Sequence, residues 1–142
     1  MAPISVLIVD DFISWRQCIC TLLKEYPEYQ VIGEASDGQE AVEKSEQLRP
    51  DVILLDIGLP KLNGIEAARR ICAIAPGSAI LFVSENQCPD LVQEALSSGV
   101  CIHGYLLKSD AGCDLLPALE AVTQHKPFVS GRLALRILDD TP

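Results

Sequence analysis

Three carboxylates, a hydroxyl and an amine stand at comparable places along this chain, each closing a short apolar run. Asp10 and Asp11 follow "SVLIV", Asp56 follows "DVILL", Ser84 follows "AILFV" and Lys108 follows "HGYLL". A single aspartate in such a place is readily a turn former, because its carboxylate bonds its own backbone; Asp10 or Asp11 could likewise cap a following helix. Three carboxylates that converge are another matter, since their repulsion raises proton affinity unless a cation compensates. An oxygen-only site with few protein ligands and room for water suits Mg²⁺. Lys108 could pair with a carboxylate or offer a point charge to an incoming phosphoryl group.

Convergence depends on the elements that carry these residues. Five apolar runs, at 5–9, 29–35, 51–55, 79–83 and 103–107, alternate with segments of helical character. Most are apolar at successive positions, as in parallel strands covered on both faces. Trp15, Cys18, Ile19, Leu22 and Leu23 recur at helical spacing after Asp11. Further helices are expected over 38–47 and 64–75, from about Pro89, and from near Asp114 with Pro117 in the opening turn. Strand alternating with helix through right-handed crossovers predicts an open, doubly wound five-stranded parallel sheet with helices on both faces and strand order 2-1-3-4-5. Ligands of such sheets bind beyond the carboxyl ends of the strands, where strand order reverses. Here that point lies between strands one and three, so Asp10, Asp11 and Asp56 share one crevice.

Composition narrows the function classes. The 142 residues are 49% hydrophobic and only 5% aromatic, which is enough apolar material for one domain with an aliphatic core. A net charge of −9 argues against direct nucleic-acid binding by this chain. There is no 18-residue apolar run and no signal-peptide pattern, which points to the cytoplasm. The six cysteines (18, 20, 72, 88, 101, 113) include no CxxC pair, and all six are expected to be thiols in a reducing compartment. His103 and His125 are expected to have no catalytic part.

The fragments "VLIVDD", "LLDIGLPKLNGIEAARRI", "LFVSE" and "GYLLKSDA" together resemble the receiver domain of bacterial two-component response regulators, of the NarL/LuxR type, over about residues 4–124. The resemblance implies a flavodoxin-like fold and a phosphorylation-dependent switch. Asp56 matches the phosphoryl acceptor, which attacks a phosphohistidine on a partner histidine kinase. Asp11, Asp56 and the Gly58 backbone carbonyl match direct Mg²⁺ ligands, with Asp10 acting through water. Lys108 and Ser84 match the groups that receive the phosphoryl oxygens, and Tyr105 matches the aromatic that turns inward behind them. Such a domain catalyses only its own phosphorylation and dephosphorylation.

The main departure from that pattern lies away from the acids. "VCIH" between Gly99 and Gly104 is two residues longer than usual, at a face many receivers use for partners or dimerisation, so homodimerisation stays open. Gly58 and Asn86 border the path of hydrolytic water. Residues 1–125 form the expected receiver, and 126–142 a linker in which Leu133, Arg136 and Ile137 hint at a short helix. "KPFVSGRLALRIL" resembles the connection preceding a LuxR-like DNA-binding domain, implying a missing output domain; a stand-alone phosphorelay receiver is the alternative. A haloacid dehalogenase-type Mg²⁺ phosphatase would want a DxD arrangement after strand one, and a flavodoxin a Ser/Thr/Gly-rich loop there, whereas this chain has "DDFISW".

Overall fold

The computed structural model describes residues 2–130. Strands β1 (Ile4–Val9), β2 (Tyr29–Ala35), β3 (Val52–Leu55), β4 (Ala79–Ser84), β5 (Ile102–Leu107) and β6 (Phe128–Val129) alternate with helices α1 (Ile13–Leu23), α2 (Gly38–Leu48), α3 (Gly64–Ile74), α4 (Pro89–Leu96) and α5 (Ala111–Thr123). The sheet runs β2-β1-β3-β4-β5-β6 with every neighbouring pair parallel. This is the expected 2-1-3-4-5 order with a short sixth strand added.

Side-chain alternation along the central strands divides the core in two. Leu7, Val9, Ile53, Leu55, Ile80, Phe82, Tyr105 and Leu107 point to the face covered by α2, α3 and α4. Val6, Ile8, Val52, Leu54, Leu81, Val83 and Leu106 point to the face covered by α1 and α5. All of β3 and β4 is buried. Burial on both faces explains why these strands read as continuous apolar runs.

Three features differ from the sequence reading or refine it. Helix α5 starts at Ala111, after a 3₁₀ turn over Lys108–Asp110, so Pro117 is interior to the helix and not in its first turn. Ala111 and Leu115, one turn apart and both buried, extend the apolar face N-terminally. Phe128–Val129, placed in the linker from sequence, pair with Gly104 and Tyr105; the hinted helix around Leu133, Arg136 and Ile137 lies outside the described residues. The longer Gly99–Gly104 segment is partly absorbed by a β-bulge: Ile80 faces Ile102 and Leu81 faces Gly104, leaving His103 unpaired.

The expectation of six free thiols is corrected. Cys72, in the last turns of α3, and Cys101, immediately before β5, form a disulfide with Cα atoms 5.7 Å apart. Cys18, Cys20, Cys88 and Cys113 are free. The rings of His103 and His125 meet edge to face with centroids 5.4 Å apart. Burial, with His125 adding to it, depresses the pKa of His103.

Candidate functional site

Asp10 directly follows β1, and two residues later the extended Phe12 leads into α1. Asp10 Oδ1 accepts the Phe12 N–H at 2.9 Å, an Asx turn ahead of α1; the N-cap of that helix is Phe12, with no side-chain cap bond, so the capping role open to a lone aspartate is not taken up. Oδ2 is left without an aligned hydrogen bond although Asp10 is 1% exposed. Its neighbour is the Lys108 ammonium, at 2.6 Å. The short distance makes this a charge-assisted ion pair, and one ammonium against Oδ2 leaves lone-pair capacity on a buried carboxylate. Such an oxygen has the character of a cation ligand.

Asp56 follows β3 and is placed beside Asp10 by the β1–β3 pairing of Val9 with Leu55. Lys108, following β5, reaches Asp56 Oδ2 at 3.7 Å. The Gly58 N–H approaches Asp56 Oδ1 at 3.4 Å. Asp11 is exposed at the mouth, and one oxygen from each of Asp10, Asp11 and Asp56 falls within a set spanning 4.8 Å. Three carboxylates and one ammonium leave the pocket short of two positive charges. The donor set, all hard oxygens with one solvent-facing member, fits a divalent Mg²⁺-like ion.

The electrostatics follow from burial. Desolvation pushes the Asp56 carboxyl up; Lys108 opposes this, while Asp10 and Asp11 add to the rise. For Lys108, burial acts downward, but Asp10, Asp56 and Glu85 outweigh it and the net shift is upward. The amine is therefore a fixed cation.

Ser84, 5% exposed at the end of β4, accepts the Asn86 N–H on its Oγ at 3.1 Å. Tyr105 is fully buried, and its hydroxyl donates to the Asn86 carbonyl at 2.8 Å. The aromatic expected to turn inward is thus already inward. Asp56, Gly58, Ser84, Asn86 and Lys108 line an open depression of about 420 Å³. All the residues singled out from sequence therefore meet at one sheet edge, with Tyr105 behind it.

Three contributions to the site escaped sequence reasoning, one of them from Trp15, which helical spacing places on an apolar face and nothing more. Arg16 donates to the Asp10 carbonyl at 2.6 Å and to Glu34 at 3.0 Å, bracing the loop that carries both acids. Trp15 places its ring 5.1 Å from the Lys108 ammonium, within cation–π range. Glu85 lines the same depression as Lys108. Position one turn into the helix after Asp11 is the only signal that could have found the first two.

Residues 6–120 match the profile of the response regulator receiver domain. The chain belongs to this family. The receiver is 32% identical to the transcriptional regulatory protein DegU of Brevibacillus brevis over 96% of this chain and 57% of the relative. It is 33% identical to LiaR of Bacillus subtilis over 95% and 63%, and 36% identical to the nitrate/nitrite response regulator NarL of Escherichia coli over 92% and 60%. The chain thus spans about 60% of the length of these curated relatives. Among solved structures, a LuxR-family two-component response regulator from Aurantimonas sp. superposes with a TM-score of 0.91 at 29% identity, covering 98% of both chains. The isolated receiver of RcsB from Salmonella enterica serovar Typhimurium, solved in the presence of the phosphomimetic BeF₃⁻, gives 0.85 at 26% identity, covering 95% of this chain and 98% of that one. A receiver domain is the module through which a response regulator is switched by phosphorylation.

Proposed function

We propose that Asp56 of this receiver accepts a phosphoryl group from a phosphohistidine on a partner histidine kinase. The observation that supports it is the meeting of three carboxylates, two of them buried, with the Lys108 ammonium: Asp10 Oδ2 is buried with Lys108 at 2.6 Å, and Asp56 lies alongside with Lys108 at 3.7 Å. An Asp56 carboxylate oxygen attacks phosphorus, forming a P–O bond as the P–N bond breaks and the imidazole leaves with its electron pair. Lys108 holds Asp56 anionic beforehand and faces the charge on the transferred oxygens afterwards. Ser84 exchanges its Asn86 N–H partner for donation to a phosphoryl oxygen, and Asn86 ties that exchange to the Tyr105 hydroxyl. Asp10, Asp11, Asp56 and the Gly58 carbonyl would hold Mg²⁺, which supplies the charge neutralisation that Lys108 alone cannot. Arg16 fixes the loop presenting the first two.

Phosphohistidine is a product of ATP-dependent kinases, which supports a cytoplasmic location for the receiver. By the length of the relatives, the switch acts on a DNA-binding output domain outside this chain. This chain itself makes no sequence-specific DNA contact, and it has no turnover on external phosphate esters beyond its own phosphorylation and dephosphorylation.

Mass spectrometry after treatment with acetyl phosphate, with and without chelator, tests the assignment. Phosphate is expected on Asp56 alone and only with Mg²⁺; Asp56→Asn abolishes it. Asp11→Ala should lose most Mg²⁺ binding by titration calorimetry. Label on Ser84 or a histidine, or full labelling of Asp56→Asn, overturns the reading.

A further inference from the structure

We propose that Cys72 and Cys101 are a reversible oxidation site that locks the α4–β5 corner of the receiver. The bond joins the end of α3 to the residue preceding β5, and the 29-residue separation encloses β4, Ser84 and the whole of α4. What it restrains is lightly held. Helix α4 has eight residues, buries only Val92 and Ala95, and has no side-chain cap at Cys88. Helix α3 buries five residues and is capped by Asn63, which accepts the Glu66 N–H. The disulfide thus closes a covalent loop around a weakly anchored helix, with one end of the loop on the firmly anchored α3.

The approach of the two cysteines is built into the corner. A Cβ on Gly99 would lie 2.8 Å from Cys72 Sγ, so the absence of a side chain there admits the sulfur. Cys101 is 5% exposed and accepts the Ile80 N–H at 2.8 Å, which fixes it to β4. Cys72 is only partly buried, and Val100 beside Cys101 is 92% exposed, so the corner faces solvent. Both Val100 and Cys101 belong to the longer "VCIH" segment.

The reactant is a small-molecule disulfide such as oxidised glutathione. The Cys72 thiolate attacks one sulfur, forming a mixed disulfide and expelling one thiolate. The Cys101 thiolate then attacks Cys72 Sγ, expelling the second. Two protein thiols are oxidised, one external disulfide is reduced to two thiols, and the two protein protons end on those thiols. A dithiol reductant runs the sequence backwards, with Cys72 as the exposed point of attack. The other four cysteines have no such partner.

The effect on switching rests on the receiver reading, but the lock itself does not. The full chain is equilibrated in glutathione mixtures from reducing to oxidising, alkylated and mapped by mass spectrometry; amide exchange over residues 88–102 is followed with and without Mg²⁺ and BeF₃⁻. Six alkylated cysteines should fall to four, losing Cys72 and Cys101 together and regaining them with dithiothreitol. Oxidation should slow exchange across 88–102 at least threefold, and shrink the BeF₃⁻ response there by a similar factor. Cys72→Ser, at the partly exposed position, should abolish both dependences. Six thiols at every poise, a bond that native dithiol cannot reduce, or equal basal exchange in the two redox states would each overturn the lock. Slowed basal exchange with no BeF₃⁻ response in either state would leave the lock standing and count against the phosphoryl reading.

Discussion

Lys108→Met removes the ammonium, which lies 5.1 Å from the centre of the Trp15 ring, and keeps an unbranched stem. Without the ammonium, Asp10 faces Asp56 with no cation between them, and Asp10 is 1% exposed. Removing one partner of a buried pair costs roughly 3 kcal/mol or more, most of it the uncompensated charge left behind. For a domain of this size each kcal/mol moves the melting temperature by about 3–5 °C, so a fall of roughly 10 °C is expected in chelator. Mg²⁺ at a hundredfold excess over Kd returns about 2.7 kcal/mol, enough to restore most of the loss. The parent should gain less, because Lys108 already fills part of the cation's place and repels it. The assay is thermal melting of parent and variant in EDTA and across a Mg²⁺ titration. A variant melting within ~2 °C of the parent in EDTA, or one that Mg²⁺ fails to rescue more than the parent, would refute the claim that Lys108 and the metal answer the same unbalanced charge.

Asp56 is held above its ordinary 3.8 by burial, so its ionisation opposes folding: the penalty is absent below 3.8, grows as pH rises to the folded value and is constant above it. Asp56→Asn should therefore be more stable than the parent at neutral pH, with the advantage shrinking on acidification; urea melts at pH 7 and pH 4 should show it, and an advantage that grows in acid would reverse the assigned sign. Tyr105→Phe deletes the bond to the Asn86 carbonyl and should cost about 1 kcal/mol in denaturant unfolding, with phosphorylation of Asp56 retained but uncoupled from exchange in 86–96. Gly64→Ala would place a Cβ 2.1 Å from the Asp56 backbone oxygen, so a loss of about 3 kcal/mol with impaired phosphorylation is expected; a fully active, equally stable variant would show that the loop after β3 is free to move.

The sheet and the acid cluster were legible because both rest on local patterns. Strands buried on two faces are apolar at consecutive positions, and a doubly wound sheet sends the end of each strand to one edge, so Asp10, Asp56, Ser84 and Lys108 could be placed from their neighbours alone. What escaped rests on contacts between distant segments. Cys72 and Cys101 are 29 residues apart, with no spacing motif to join them; only the packing of α3 against the start of β5 does so. Phe128 and Val129 sit beside a proline in a polar stretch, and two residues carry no periodicity. Their strand exists because β5 offers an unpaired edge. Trp15 read correctly as an apolar-face residue, yet its ring also meets Lys108 because the 3₁₀ turn after β5 brings that lysine over the start of α1.

That sixth strand separates two meanings of a domain boundary. As an inherited unit the receiver ends by residue 120, where the family match stops. As a folded unit it continues at least to Ser130, which is fully buried, accepts the Leu107 N–H on its Oγ and donates its own N–H to the Tyr105 carbonyl. A gene fragment cut at the family limit would strip the outer rim from β5 and bare a row of backbone donors and acceptors beside an apolar strand, a template for edge-to-edge association. Poor recovery of such a fragment would reflect the missing rim, and a cut placed beyond Ser130 would cure it.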